Sequence, residues 1–177
     1  MKVVTAHPII DGVLDQHFAA IGDDLGAYRN HVYRCLNYHQ LLLGAPPPDT
    51  AALAWAVHDL GIWTADTFDY LSPSAELVAT HATEFGITDV DEVRLMVTQH
   101  HKLRRTGNRM NDAFRTADLV DVSRGHEPSL PGLPRVSRTW PDPTRRPSSH
   151  PAAADAAVVM ARRSRRQTRP TQWKSCS

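Results

Sequence analysis

Apolar residues recur along most of this chain at helical spacing. Between residues 24 and 43, Leu25, Tyr28, Val32, Cys35, Leu36 and Leu43 fall at intervals close to 3.6, which predicts an amphipathic helix stopped by Gly44 and the prolines at 46, 47 and 48. His31 lies three residues after Tyr28 and four before Cys35, on the edge of that apolar stripe, so its imidazole can turn inward. Asp49 offers an N-cap for a helix over residues 50–60 that is apolar on every side and therefore central, with Gly61 as its stop. Ser72-Pro73 opens a helix to about Phe85. Thr88, Asp89 and Asp91 start the next, through Val93, Met96 and Val97 to His100-His101. After the loop KLRRTGN, Asn111 or Asp112 begins a last helix closed by Gly125, with Phe114, Ala117, Asp118, Asp121 and Val122 on neighbouring positions of one face. A short first helix is expected over residues 13–21. No strand pattern competes, so the predicted fold class is an all-α helical bundle from about residue 10 to 125.

The pattern fails after Pro134, where the composition turns to Arg, Pro, Ser and Ala. Residues 1–134 carry 10 Lys and Arg against 17 Asp and Glu, a net of −7, whereas 135–177 carry 10 against 2, a net of +8. The chain thus divides into a helical domain over 1–130 and a Pro/Arg/Ser-rich tail over 131–177, with residues 152–163 the one stretch there that could form an isolated helix. The tail is expected to be disordered, or an out-of-frame extension, since a GC-rich gene read in a wrong frame gives this composition. It has little interleaved aromatic character, so no specific nucleic-acid partner is expected. No apolar run is long enough to span a membrane, and the apolar stretch before Asp11 is too short for a secretory signal; a cytoplasmic protein is expected. Cys35 and Cys176 lie too far apart in sequence to suggest a disulfide framework or a thiolate zinc motif. A metal would have to use His and carboxylates.

The chemistry enters at His58-Asp59. A buried helix has no reason of its own to carry an imidazole beside a carboxylate, because burying them is costly unless they are hydrogen-bonded or bound to a metal. With 10 His in the chain an HD dipeptide arises by chance about once, so its setting gives it weight. The inward-capable ligands, in order, are His31, His58, Asp59, His81, His100, His101 and Asp118, with Asp121 on the same face as Asp118. Imidazole and carboxylate together suit a divalent first-row ion such as Mn, Fe, Co, Ni or Zn. His81 follows Thr80 on a helix whose apolar residues are Leu77, Val78 and Phe85, so the residues alone leave it either a ligand or a solvent-side histidine.

The ordered set, in the contexts RNH, VHDLG, THA, QHH and TADL between Tyr28 and Gly125, resembles the HD-domain superfamily of metal-dependent phosphohydrolases. The resemblance implies an HD-type helical bundle, with His31, His58, Asp59 and Asp118 as metal ligands. It implies one or two divalent transition-metal ions, Asp59 bridging them when a second is bound and His81 with His100 or His101 completing that second site. Asp118 is preferred to Asp121 on the Ala117-Asp118 context of the family motif, not on spacing. The implied reaction is hydrolysis of a small phosphorylated substrate or nucleotide by a metal-activated water, with Asp59 catalytic. Lys102 would meet the substrate phosphate, helped by Arg104 and Arg105 or by Arg29 or Arg34. No GYP follows the histidines, which disfavours the cyclic-dinucleotide phosphodiesterase branch. HD-type hydratases, di-iron oxygenases and non-catalytic ligand-binding modules share the ligand set. Cys35, Trp55, Trp63 and Phe68 are expected in the core or a pocket wall, and GIWTADTFDY could form a lid.

Overall fold

Pro8 opens the first helix, where a residue without an N–H loses nothing. In a computed structural model, which describes residues 2–123 other than Phe68 and Leu103, the order is α1 (Pro8–Gln16), α2 (Phe18–Ile21), a 3-10 turn (Gly22–Asp24), α3 (Leu25–Leu43), α4 (Asp49–Val57), α5 (Gly61–Thr64), α6 (Leu71–Glu84), α7 (Val90–Gln99) and α8 (Arg109–Val122). The described residues are all-α, without a strand. The readings of residues 131–177 lie outside them. No helix among them is long and apolar enough to cross a membrane.

Chain chemistry sets several helix ends. Gly44 closes α3 at φ 71°, a left-handed conformation that glycine adopts without a Cβ penalty, and its N–H reaches the Gln40 carbonyl at 3.0 Å. The Asp89 side chain accepts the Glu92 N–H at 3.1 Å and that of Asn108 accepts the Asn111 N–H at 3.0 Å, so these two residues cap α7 and α8. Helix α8 therefore starts before the expected Asn111 or Asp112. The Asp112 carboxylate instead folds back onto the N–H groups of Thr106 and Gly107, at 2.8 and 3.2 Å, and fixes the preceding loop. The first helix also differs from the expected 13–21: it begins at Pro8 and breaks at His17, which separates α1 from α2.

Helix α4 is the hub. It packs against α1, α3, α6 and α7, and every residue from Ala51 to Val57 is buried. Its four alanines let those neighbours approach closely, while Trp55 stacks on Phe114 of α8 with ring centroids 3.6 Å apart. Helix α3 packs along α8, and α6 along α7. Ahead of α1, Val4 exchanges two backbone hydrogen bonds with the Asn37 side chain, at 2.9 and 2.8 Å, which ties the N-terminal segment to α3.

Gly61 does not stop α4, which ends at Val57; it opens α5 after a turn over His58 to Leu60. Its role is close approach. A Cβ there would lie 2.4 Å from the Tyr70 carbonyl oxygen and 3.0 Å from the Ser74 nitrogen, and the Gly61 N–H donates to Ser74 Oγ at 2.9 Å. The GIWTADTFDY segment is not free to act wholly as a lid, because Ile62, Trp63 and Tyr70 are buried and the Trp63 indole donates to Asp24 at 3.2 Å. Gly61→Ala is expected to cost about 1–3 kcal/mol in denaturant unfolding by forcing α5 off α6; an unchanged midpoint would show that this contact yields freely.

Candidate metal centre

Three helices and one turn bring the ligand candidates together. His31 projects from the middle of α3, His58 and Asp59 from the turn ending α4, His100 from the end of α7 and Asp118 from α8. All five are buried, the most accessible being Asp118 at 8%. His31 Nε2 lies 3.1 Å from His58 Nε2, 3.5 Å from Asp118 Oδ1 and 3.9 Å from Asp59 Oδ2. His58 Nε2 is 3.4 Å from the same Asp59 oxygen, and His100 Nε2 is 3.6 Å from the other, Oδ1. Asp59 thus turns one oxygen to His31 and His58 and the other to His100.

The far side of each ring decides which nitrogen faces the centre. His58 Nδ1 lies 2.9 Å from the Trp55 carbonyl and His100 Nδ1 2.7 Å from the Val97 carbonyl; a carbonyl can only accept, so each Nδ1 carries a proton. In both cases the partner is the carbonyl three residues back, one of those a helix end leaves without an intrahelical partner. These bonds fold the rings back along their helices, and the negative ends of the α4 and α7 dipoles come with them. His31 Nδ1 meets the Asp121 carboxylate at 2.8 Å, and Asp121 is gripped by Arg34 through two bonds of 2.6 and 2.8 Å. Asp121 is therefore the orienting partner of His31, the position one turn beyond Asp118 on the same face of α8. This carboxylate–imidazole arrangement is typical of metal-ligating histidines.

Charge balance points the same way. Burial opposes a charge on His31 and His100, yet the carboxylates around them raise both imidazoles above their ordinary range, Asp121 acting most on His31 and Asp59 on His100. Burial pushes the Asp118 carboxyl up to about 6, helped by Asp59 and Asp121. His58, buried among other imidazoles, is pushed down to about 3 and is neutral. Burial also works against ionising Asp59, but His58, His100 and His31 hold its carboxyl well below the usual range. Two polar atoms of this cluster, Asp59 Oδ1 and His100 Nε2, are buried without a hydrogen-bond partner. A buried set of this kind calls for positive charge between its members. Two groupings have ligand atoms all within 4.8 Å of one another, His31 with His58 and Asp118, and Asp59 with His100 and His101, and each could hold a metal ion. A third, His31 with Cys35 and Asp121, has its imidazole Nδ1 committed to Asp121, and burial pushes the Cys35 thiol well up, which keeps it protonated.

The remaining sequence candidates lie elsewhere. His101 is exposed at the rim, with Nε2 2.9 Å from the Tyr70 hydroxyl; burial of part of the ring and the neighbouring His100 lower its pKa. Tyr70 was not singled out by the sequence, for it lies in a stretch without periodicity. His81 is buried but contacts His17 and Glu84, not the cluster. It follows Ser74 by seven residues, about 10 Å along the same face of α6, and so stands at a different level of the bundle. Arg29 is bound to Asp11 at 2.7 Å and lies over the Tyr33 ring, while Arg34 holds Asp121, so neither is placed as the phosphate contact considered from the sequence. Lys102, Arg104 and Arg105 are exposed, and the Lys102 carbonyl accepts a bond from the buried Arg115, which pins the loop after His101. No family model, no curated protein and no solved structure matches the chain.

Asp121→Asn is expected to weaken divalent-metal affinity about 10- to 100-fold while leaving the stoichiometry intact, as for an orienting partner; loss of an ion from the saturated protein would make Asp121 a ligand. Asp118 gives a second test. Its carboxyl titrates higher in the folded than in the unfolded chain, so its ionisation opposes folding above pH about 6 and ceases to matter below about 4. Metal-free Asp118→Asn is expected to gain about 1–3 kcal/mol over wild type at pH 8 relative to the difference at pH 4, by denaturant unfolding. A pH-independent difference would contradict the buried charge.

Proposed function

We propose that this chain is an HD-type metal-dependent phosphohydrolase acting on a small phosphate ester or nucleotide. The reading rests on one observation: the Nε2 nitrogens of His31 and His58 face each other at 3.1 Å among the carboxylates of Asp59 and Asp118, with the opposite ring nitrogens tied. His31, His58, Asp59 and Asp118 would hold a first divalent transition-metal ion of the Mn, Fe, Co, Ni or Zn type. Asp59 through its other oxygen, with His100 and His101, would hold a second. Such an ion, when bound, lowers the pKa of a coordinated water and polarises a phosphoryl oxygen.

The chain's own groups supply the rest. Asp59, ionised in its ring of imidazoles, would be available to help hold the ion and to accept a hydrogen bond from the water it activates. Tyr70 and His101 form the edge of the centre nearest solvent, and exposed Lys102 directly after them adds a positive charge for the phosphate. Burial excludes bulk water from His58 and Asp59, which strengthens each interaction there. The approach of one Asp59 oxygen to each of two ligand groups also fits a di-iron oxygenase, a reading that predicts two irons per chain and no phosphate release.

Purified protein screened with p-nitrophenyl phosphate and nucleotides is expected to release phosphate only with manganese, cobalt, nickel or another first-row ion. Asp59→Ala is expected to reduce that rate at least about 100-fold with helical circular dichroism unchanged. Full activity in that variant, or two tightly bound irons without phosphatase activity, would overturn the hydrolase reading. Metal binding must also displace protons, since His31 and His100 are raised and Asp118 titrates at about 6. Affinity measured by competition titration is therefore expected to fall about tenfold per pH unit as pH drops from 8 through 6; a flat profile would contradict the assigned ligands.

A further inference from the structure

The break at His17 that separates α1 from α2 has a consequence away from the centre. It presents the His17 ring to His81 of α6, with the two Nε2 atoms 3.0 Å apart and ring centroids 5.2 Å apart, the same centroid separation as His31 and His58. His81 is 3% exposed. Its Nδ1 faces the Glu84 carboxylate at 3.3 Å, which places the ring proton on Nδ1 and leaves the Nε2 lone pair aimed at His17. Glu84 is held in turn by the amide of Gln16, from the adjoining turn of α1. The ring is thus oriented by a carboxylate that is itself fixed, as in the His31–Asp121–Arg34 series.

We propose that His17 and His81 form a separate binding site for a divalent transition metal, coordinated by the two Nε2 atoms and completed by water. Two donors 3.0 Å apart subtend an angle of about 95° at an ion about 2.0–2.1 Å from each, a normal separation for neighbouring imidazole ligands. His17 is half-exposed, which leaves coordination positions open to solvent, and an all-nitrogen protein contribution selects Zn, Cu, Ni or Co over Mg or Ca. Burial and the neighbouring imidazole lower the His17 pKa, so the ring is neutral at physiological pH and has a lone pair to give. A bound ion replaces the single proton that the two nitrogens can share. It staples the α1–α2 junction to the end of α6, at a different level of the bundle from His58 and Asp59.

Equilibrium dialysis of the full-length chain against Zn2+, with metal counted by mass spectrometry, tests this directly. His17→Gln changes a half-exposed side chain and is expected to bind one zinc fewer than wild type at saturation, and His81→Gln the same. The thermal shift on adding Zn2+ is expected to be smaller by at least about 2 °C in His17→Gln. Asp59→Ala, by contrast, is expected to keep the zinc that His17→Gln loses, so failure of this site and failure of the central one read out separately. Equal zinc stoichiometry and equal thermal shift in wild type and His17→Gln would overturn the proposal.

Discussion

Two imidazole nitrogens facing each other at 3.1 Å, with buried carboxylates on either side, are stable only if positive charge lies between them. Everything near the hub of the bundle conforms to that constraint. The helices that deliver His58 and His100 end at the centre, so their carbonyl ends add negative potential there and their last carbonyls take the Nδ1 protons. Raised pKa values at His31 and His100 are the same constraint met with protons. A metal ion held there would compete with those protons for one place.

The fold's own stability does not come from this cluster. It comes from the apolar surroundings of α4, from the Trp55–Phe114 stack and from the close seating of α5 on α6 at Gly61. Those elements are rigid enough to hold groups that would otherwise repel, which is how a preorganised site stores unfavourable charge. The Arg34–Asp121–His31 series extends that rigidity across the α3–α8 interface, so the outer layer of the centre is also part of the packing between two helices.

Much of this was legible in the sequence because the helical period and the burial of polar residues are local signals. His31 on the edge of its stripe, His58-Asp59 in an all-apolar helix and Asp118 on the buried face of α8 are brought together as the pattern suggested. Asp118 and Asp121 could not be separated by spacing, since residues three apart share a helix face; only the meeting with α3 shows which one turns to His31 Nδ1. His81 points inward but at another level, a matter of where along α6 the bundle is crossed, which periodicity does not encode. Gly61 looked like a helix stop because glycine signals one, whereas a tertiary contact two helices wide fixes it. His17 carried no signal at all, because its role arises from a break between two short helices.

Side chains from α3, α8 and the turn after α4 are proposed to share one cation. Crystals of the zinc- or cobalt-loaded chain, measured at the metal absorption edge, give the most direct test. An anomalous peak about 2.0–2.2 Å from His31 Nε2, His58 Nε2 and an oxygen of Asp59 or Asp118 is the predicted result. A fully loaded crystal with no peak among those atoms would contradict it.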